Sequence, residues 1–89
     1  MIEKTADHPQ NLEASFSTLI LSIASSAAMS MGLAPNPASG KIEKDLNLAR
    51  FNIDLLTMLS EKTKNNRTVD EDRFISTILQ DLKMKFIQG

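Results

Sequence analysis

The sequence predicts an all-α domain of three helices, and three observations carry that prediction. Apolar residues recur with a helical period in three segments, and two turn-forming stretches separate those segments. Nowhere do apolar and polar residues alternate as they would in a half-buried strand. The helices are expected over about residues 12–31, 43–65 and 69–87, in one domain of residues 11–88. Residues 1–10, MIEKTADHPQ, are polar, end next to Pro9 and read as a flexible N-terminal tail. The single histidine, His8, falls in that tail before a proline and reads as a solvated residue, not a ligand or base.

The first helix starts near Asn11 or Ser15 and stops at Gly32, a residue suited to the left-handed position after a helix end. At 100° per residue, Leu12, Phe16, Leu19, Ile20, Ile23, Ala27 and Met31 share one face, opposite Ser15, Thr18, Ser22, Ser25, Ser26 and Met29. Its polar side therefore consists of hydroxyls, because the chain carries no charge from Ala14 to Gly40. Such a face has to be covered by the chain itself, a second copy, a partner or a bilayer. Gly32 to Gly40, GLAPNPASG, holds two prolines that push their preceding residues out of helical geometry, so it is a loop.

In the second helix Glu43, Asn47, Arg50, Asp54, Thr57, Glu61 and Lys64 form one narrow polar ridge, and almost every other position is apolar. A helix of that kind has neighbours on two or three sides. Asn65-Asn66-Arg67 is a tight turn, which makes the second and third helices an antiparallel hairpin. Thr68-Val69-Asp70-Glu71 has the form of a capping box, and Asp70 and Asp72 suit the positive end of the helix dipole. Phe74, Ile75, Ile78, Leu79, Leu82 and Phe86 then line one face of the third helix.

Composition bounds the function. With 89 residues the chain forms one domain, in a size range where a single core barely offsets the entropy of ordering it, so oligomerisation is a natural source of further stability. A hydrophobic fraction of 42% is ordinary, but aromatics are only 4%, so the core is aliphatic. The absence of Cys excludes disulfides and thiolate metal sites and favours a reducing, cytoplasmic setting. A net charge of -1 and a pI near 5.7 supply no general attraction to nucleic acid.

Asn52 stands out because it lies on the apolar side of the second helix. Leu48, Asn52, Leu55 and Leu59 follow coiled-coil spacing, with the amide inside the seam. Two readings stand: the amide pairs with the same residue of a second chain and fixes register, or it bonds a loop carbonyl within one chain. Asp54 reads as the partner of Arg50 one turn earlier; no second carboxylate or Ser/His pair completes a catalytic site around it. Asp70, Glu71 and Asp72 have a sufficient role as first-turn acids, and no calcium-loop spacing is present. Lys62, Lys64, Arg67 and Arg73 suit the negative end of the second helix better than a nucleic-acid patch, since no aromatic residue accompanies them. No catalytic, cofactor or metal residue is therefore assigned.

The combination Ile53-Asp54-Leu55-Leu56, Met58-Leu59 and Glu61-Lys62-Thr63-Lys64, with Asp45-Leu46, Ala49-Arg50, Leu79 and Asp81-Leu82, resembles domain-of-unknown-function family 1844, short bacterial proteins. The likeness extends over roughly residues 12–87, with Leu19 to Gly32 ahead of the Pro-containing loop. It implies a small, cytoplasmic, all-helical protein and brings no catalytic residues. Where such proteins tend to read Gly-Asn-Leu-Thr, this chain has Asn65-Asn66-Arg67-Thr68. Asn65 should then take the left-handed position, and Arg67 removes a hydrophobic staple onto the third helix.

The function these features favour is that of a non-enzymatic module that associates with itself, as a homodimer, through Phe16, Leu19, Ile20, Ile23, Leu48, Asn52, Leu55 and Leu59. A membrane-associated protein using residues 14–33 as an anchor is the second reading: the segment has bilayer length and small residues at Ser22, Ser26 and Ser30. Its hydroxyls, the lack of Trp and Tyr, and the lack of a basic flank weigh against it. An enzyme with a site near Asp54 is the third.

Overall fold

The computed structural model describes residues 14–88, which form three helices: α1 (Phe16–Ser30), α2 (Leu46–Lys62) and α3 (Val69–Gln88). The expected tail, His8 and the helix start at Leu12 lie outside the described residues. The fold is the all-α, three-helix arrangement anticipated, with each helix packed on the other two.

Local chemistry sets each helix end. Ser15 caps α1, its Oγ accepting from the Thr18 N–H at 3.1 Å. At the other end Gly32 adopts φ +80°, the Leu33 N–H donates to the Ala28 carbonyl and the Gly32 N–H to that of Met29. That pair of bonds is the Schellman arrangement, and it needs a left-handed residue at Gly32. Within the following loop the Asn36 carbonyl accepts from Ser39 and Gly40, and the Asn36 Oδ1 accepts from Ala38. The Asp45 N–H then donates to the Ser30 carbonyl at 2.7 Å, and its carboxylate caps α2 by accepting from Leu48 at 3.1 Å. This junction returns α2 antiparallel to α1.

α2 stops at Lys62, three residues before the end at Asn65 that the sequence suggests. The Thr63 hydroxyl takes the Leu59 carbonyl at 2.6 Å, and Asn65 reverses the chain with φ +69°, the conformation expected of it. The capping box of α3 is formed in both directions: Thr68 N–H to Glu71 Oε1 at 2.9 Å, and Glu71 N–H to Thr68 Oγ1 at 3.1 Å.

The core is aliphatic. Ile20, Leu56 and Ile75, one from each helix, are fully buried, with Ala24, Ala27, Met31, Ala49, Ile53 and Leu82 around them. Each large side chain so buried contributes about 1.5–3 kcal/mol of transfer free energy. Phe74, Ile78, Leu79 and Phe86 pack against this core, as the face expected for α3 requires. The face of α1 is the one expected apart from one edge: Phe16, Ile20, Ile23, Ala27 and Met31 lie in or against the core, Ala24 joins them and Leu19 is left 46% exposed. Ala24 and Ala27 let the helix approach closely, and the larger Leu19 falls on a shoulder.

Candidate functional site

α2 has two apolar sides with different fates. One side, Ala49, Asn52, Ile53 and Leu56, is buried against the other helices. The adjoining side carries Leu48, Phe51, Leu55 and Met58, spaced by three, four and three residues, which places them on one stripe. Leu48, Phe51 and Met58 are exposed at 45%, 57% and 42%, and Leu55 is half-buried. Of the expected polar ridge, Asn47, Arg50, Asp54 and Glu61 are exposed on α2 and Thr57 is half-buried, whereas Glu43 and Lys64 lie outside the helix.

Asn52 marks the border between the two sides. It is 6% exposed, and its Nδ2 donates to the Leu48 carbonyl at 3.0 Å and to the Ser26 Oγ of α1 at 3.3 Å. Its amide is thus engaged by its own chain, with a helix carbonyl and a hydroxyl in place of the loop carbonyl anticipated. Ser26 lies on the hydroxyl side of α1, opposite the apolar face read from the sequence. Leu19 precedes Ser26 by seven residues and therefore shares its shoulder, so α1 borders the α2 stripe with an uncharged edge.

The eight residues singled out from sequence separate accordingly. Ile20 and Asn52 are buried inside the chain; Phe16, Ile23 and Leu59 are half-buried against the core; Leu55 is half-buried, and Leu19 and Leu48 are exposed. Phe51 and Met58, which sequence reasoning left among the general apolar residues of the helix, complete the exposed face. The 3-4-3 spacing from Leu48 to Met58 is the signal that identifies them.

Polar groups elsewhere serve structure. The Arg67 side chain is 12% exposed; its NH1 donates to the Ser60 carbonyl at 2.6 Å and to Thr63 Oγ1 at 3.2 Å, and its Nε to Asp72 Oδ1 at 3.1 Å. The residue that displaces an apolar staple thus supplies a polar one, bonding the last turn of α2 to the first turn of α3. The Arg50–Asp54 pair anticipated on the ridge is not formed; the ion pairs among the described residues are Arg67–Asp72 and Lys85–Asp81. Arg50 and Asp54 are both exposed, and at that level of solvation such a pair gains too little to hold two long side chains in place.

A cleft of about 370 Å³ opens where the end of α1 meets the start of α2, lined by Ser26, Met29, Ser30, Asn36, Glu43, Lys44, Asp45 and Leu48. Its polar members already have roles: Asp45 caps α2, Asn36 Nδ2 donates to Glu43 Oε1 at 3.0 Å, and Ser30 Oγ donates to the Ser26 carbonyl at 2.8 Å. Among the described residues no group of three or more His, Cys, Asp or Glu could hold a metal ion. Nor is any helix among them long and apolar enough to cross a membrane. α1, with 15 residues, is about 22 Å long, whereas a bilayer core needs about 30 Å; the anchor reading loses its support.

The family model described as Domain of unknown function (DUF1844) matches residues 13–88. The chain belongs to that family, as its resemblance over the second helix implies. No curated protein and no solved structure matches it.

Proposed function

We propose that this DUF1844 protein is a non-enzymatic helical module that works by associating with a second copy of itself. The exposed apolar face formed by Leu48, Phe51, Leu55 and Met58 with Leu19 beside it carries the reading. The exposed fractions of Leu19, Leu48, Phe51 and Met58 lie between 42% and 57% and amount to roughly 300–450 Å² when each residue is given the area of a large aromatic side chain, about 150–250 Å². The largest apolar patch on a monomer reaches about 300–600 Å², and a patch of that size commonly marks an interaction site. The non-enzymatic part rests on the engagement of polar side chains in caps and turns, at Ser15, Asn36, Asp45, Arg67, Thr68 and Glu71. A cysteine-free sequence suits the reducing conditions of a cytoplasm.

Light scattering coupled to size exclusion, over a dilution series without detergent, tests the proposal. A discrete mass above 9.8 kDa that survives moderate dilution supports it. A monomer at every concentration overturns it.

A further inference from the structure

We infer that two copies pair along α2, α2 of one against α2 of the other through Leu48, Phe51, Leu55 and Met58 with Leu19 of α1 at the edge, while α1 stays packed in its own chain. This deepens the self-association reading and rests on it.

The seam has coiled-coil spacing over the eleven residues from Leu48 to Met58, a length of about 15 Å. No charged residue interrupts its line, and Lys62 closes it one step beyond Met58. Phe51 is the informative member. Of the four phenylalanines, Phe16, Phe74 and Phe86 pack against the core, and Phe51 alone is left 57% exposed. Aromatic side chains left in this way at the middle of an apolar patch are the usual anchors of an interface.

Three observations select a second copy as the occupant. A two-fold contact needs a surface that matches itself, which a repeating stripe of similar aliphatic and aromatic side chains provides. The area is of the right order: with Leu19, the seam's exposed side chains supply half or more of the ~600 Å² per partner that a small stable interface buries. The sequence of residues 1–13 is a poor match to the seam: Met1, Ile2 and Leu12 are its only large apolar residues, and nine polar or small ones separate the last two.

The junctions of α1 argue against its exchange between copies. The Asp45–Ser30 backbone bond and the Asn52–Ser26 bond both hold α1 on the α2 of the same chain. The buried side of α2 is therefore occupied in cis, and the seam is the side left over.

The experiment compares the solution masses of the full chain and of Phe51→Glu, Met58→Lys and Ile87→Glu. Ile87 is 84% exposed on α3 and serves as a matched control away from the seam. Circular dichroism confirms helical folding of each variant, and having two seam variants keeps the test decisive if one misfolds. The inference expects wild type and Ile87→Glu at twice 9.8 kDa, with a folded Phe51→Glu or Met58→Lys at the monomer mass at the same concentration. A wild-type dimer that both seam variants leave intact, or that Ile87→Glu dissociates, overturns the α2 seam and leaves self-association standing. A wild type that is monomeric throughout overturns both and leaves the seam for a different protein.

Discussion

Asn52 and Ser26 face each other across the α1–α2 contact, with the amide nitrogen of one 3.3 Å from the hydroxyl oxygen of the other. The same nitrogen holds the Leu48 carbonyl, so the amide inside the apolar part of α2 joins helices of one chain. Truncating Asn52 to Ala is expected to cost about 1–3 kcal/mol, because it opens a small cavity and removes both bonds. Ser26→Ala should cost less, and a double-mutant cycle in urea should give a coupling of about 0.5–1 kcal/mol. None of these changes should alter the solution mass of a folded variant. A mass change in Asn52→Leu without loss of stability would put the amide between copies instead.

The turn between α2 and α3 is fastened by one guanidinium. Arg67 reaches the Ser60 carbonyl, the Thr63 hydroxyl and the Asp72 carboxylate from a position 12% exposed. Arg67→Ala is expected to lower stability by about 1.5–3 kcal/mol, the range for hydrogen bonds to a charged group. Arg67→Lys should recover only a minor part, since an ammonium cannot bridge three acceptors lying in different directions. Urea midpoints of the three proteins check the order, and equal midpoints for Arg67→Ala and wild type would show that the bridge contributes nothing.

How much of this was legible beforehand follows from the range of each interaction. The capping box at Thr68 and Glu71, the stop at Gly32 and the left-handed Asn65 are local, and four to six residues of sequence contain all the partners. The α3 face was legible because its period is regular. The facing of α1 was legible except at its edge: a wheel weights Leu19 above Ala24, whereas close helix approach favours the alanine in the contact and leaves the leucine outside. Asn52 could be located on its helix, but its partner Ser26 lies 26 residues away, and no local pattern links them. The Arg50–Asp54 spacing permits an ion pair without requiring one, and two exposed side chains need not take it.

Two residues with positive φ give opposite expectations. Asn65 at φ +69° pays for a conformation that glycine adopts freely. Asn65→Gly should therefore be neutral to stabilising by up to about 1 kcal/mol, and Asn65→Ala destabilising by about the same amount. Gly32→Ala at φ +80° should cost about 1–2 kcal/mol. Space is not the reason there, since an added Cβ would meet Ile42 Cγ2 at 3.6 Å, an ordinary contact. Thermal midpoints of the three variants read these directions, and a stabilising Gly32→Ala would contradict the Schellman end of α1.

The core and the seam should respond differently to protein concentration. Leu56 is fully buried between the helices, so Leu56→Ala removes packing that every folded copy needs and should cost about 2–5 kcal/mol. That loss persists at any dilution. Phe51 is more than half exposed in the single chain, so Phe51→Ala should cost a dilute monomer about 1 kcal/mol or less. If the seam joins two copies, wild-type melting temperature rises with concentration, because association stabilises the folded state by mass action. Phe51→Ala should flatten that rise, while Leu56→Ala should shift the whole curve downward and keep its slope. Melts of the three proteins over a hundredfold range of concentration separate the two effects, and a concentration-independent wild type would remove the association term altogether.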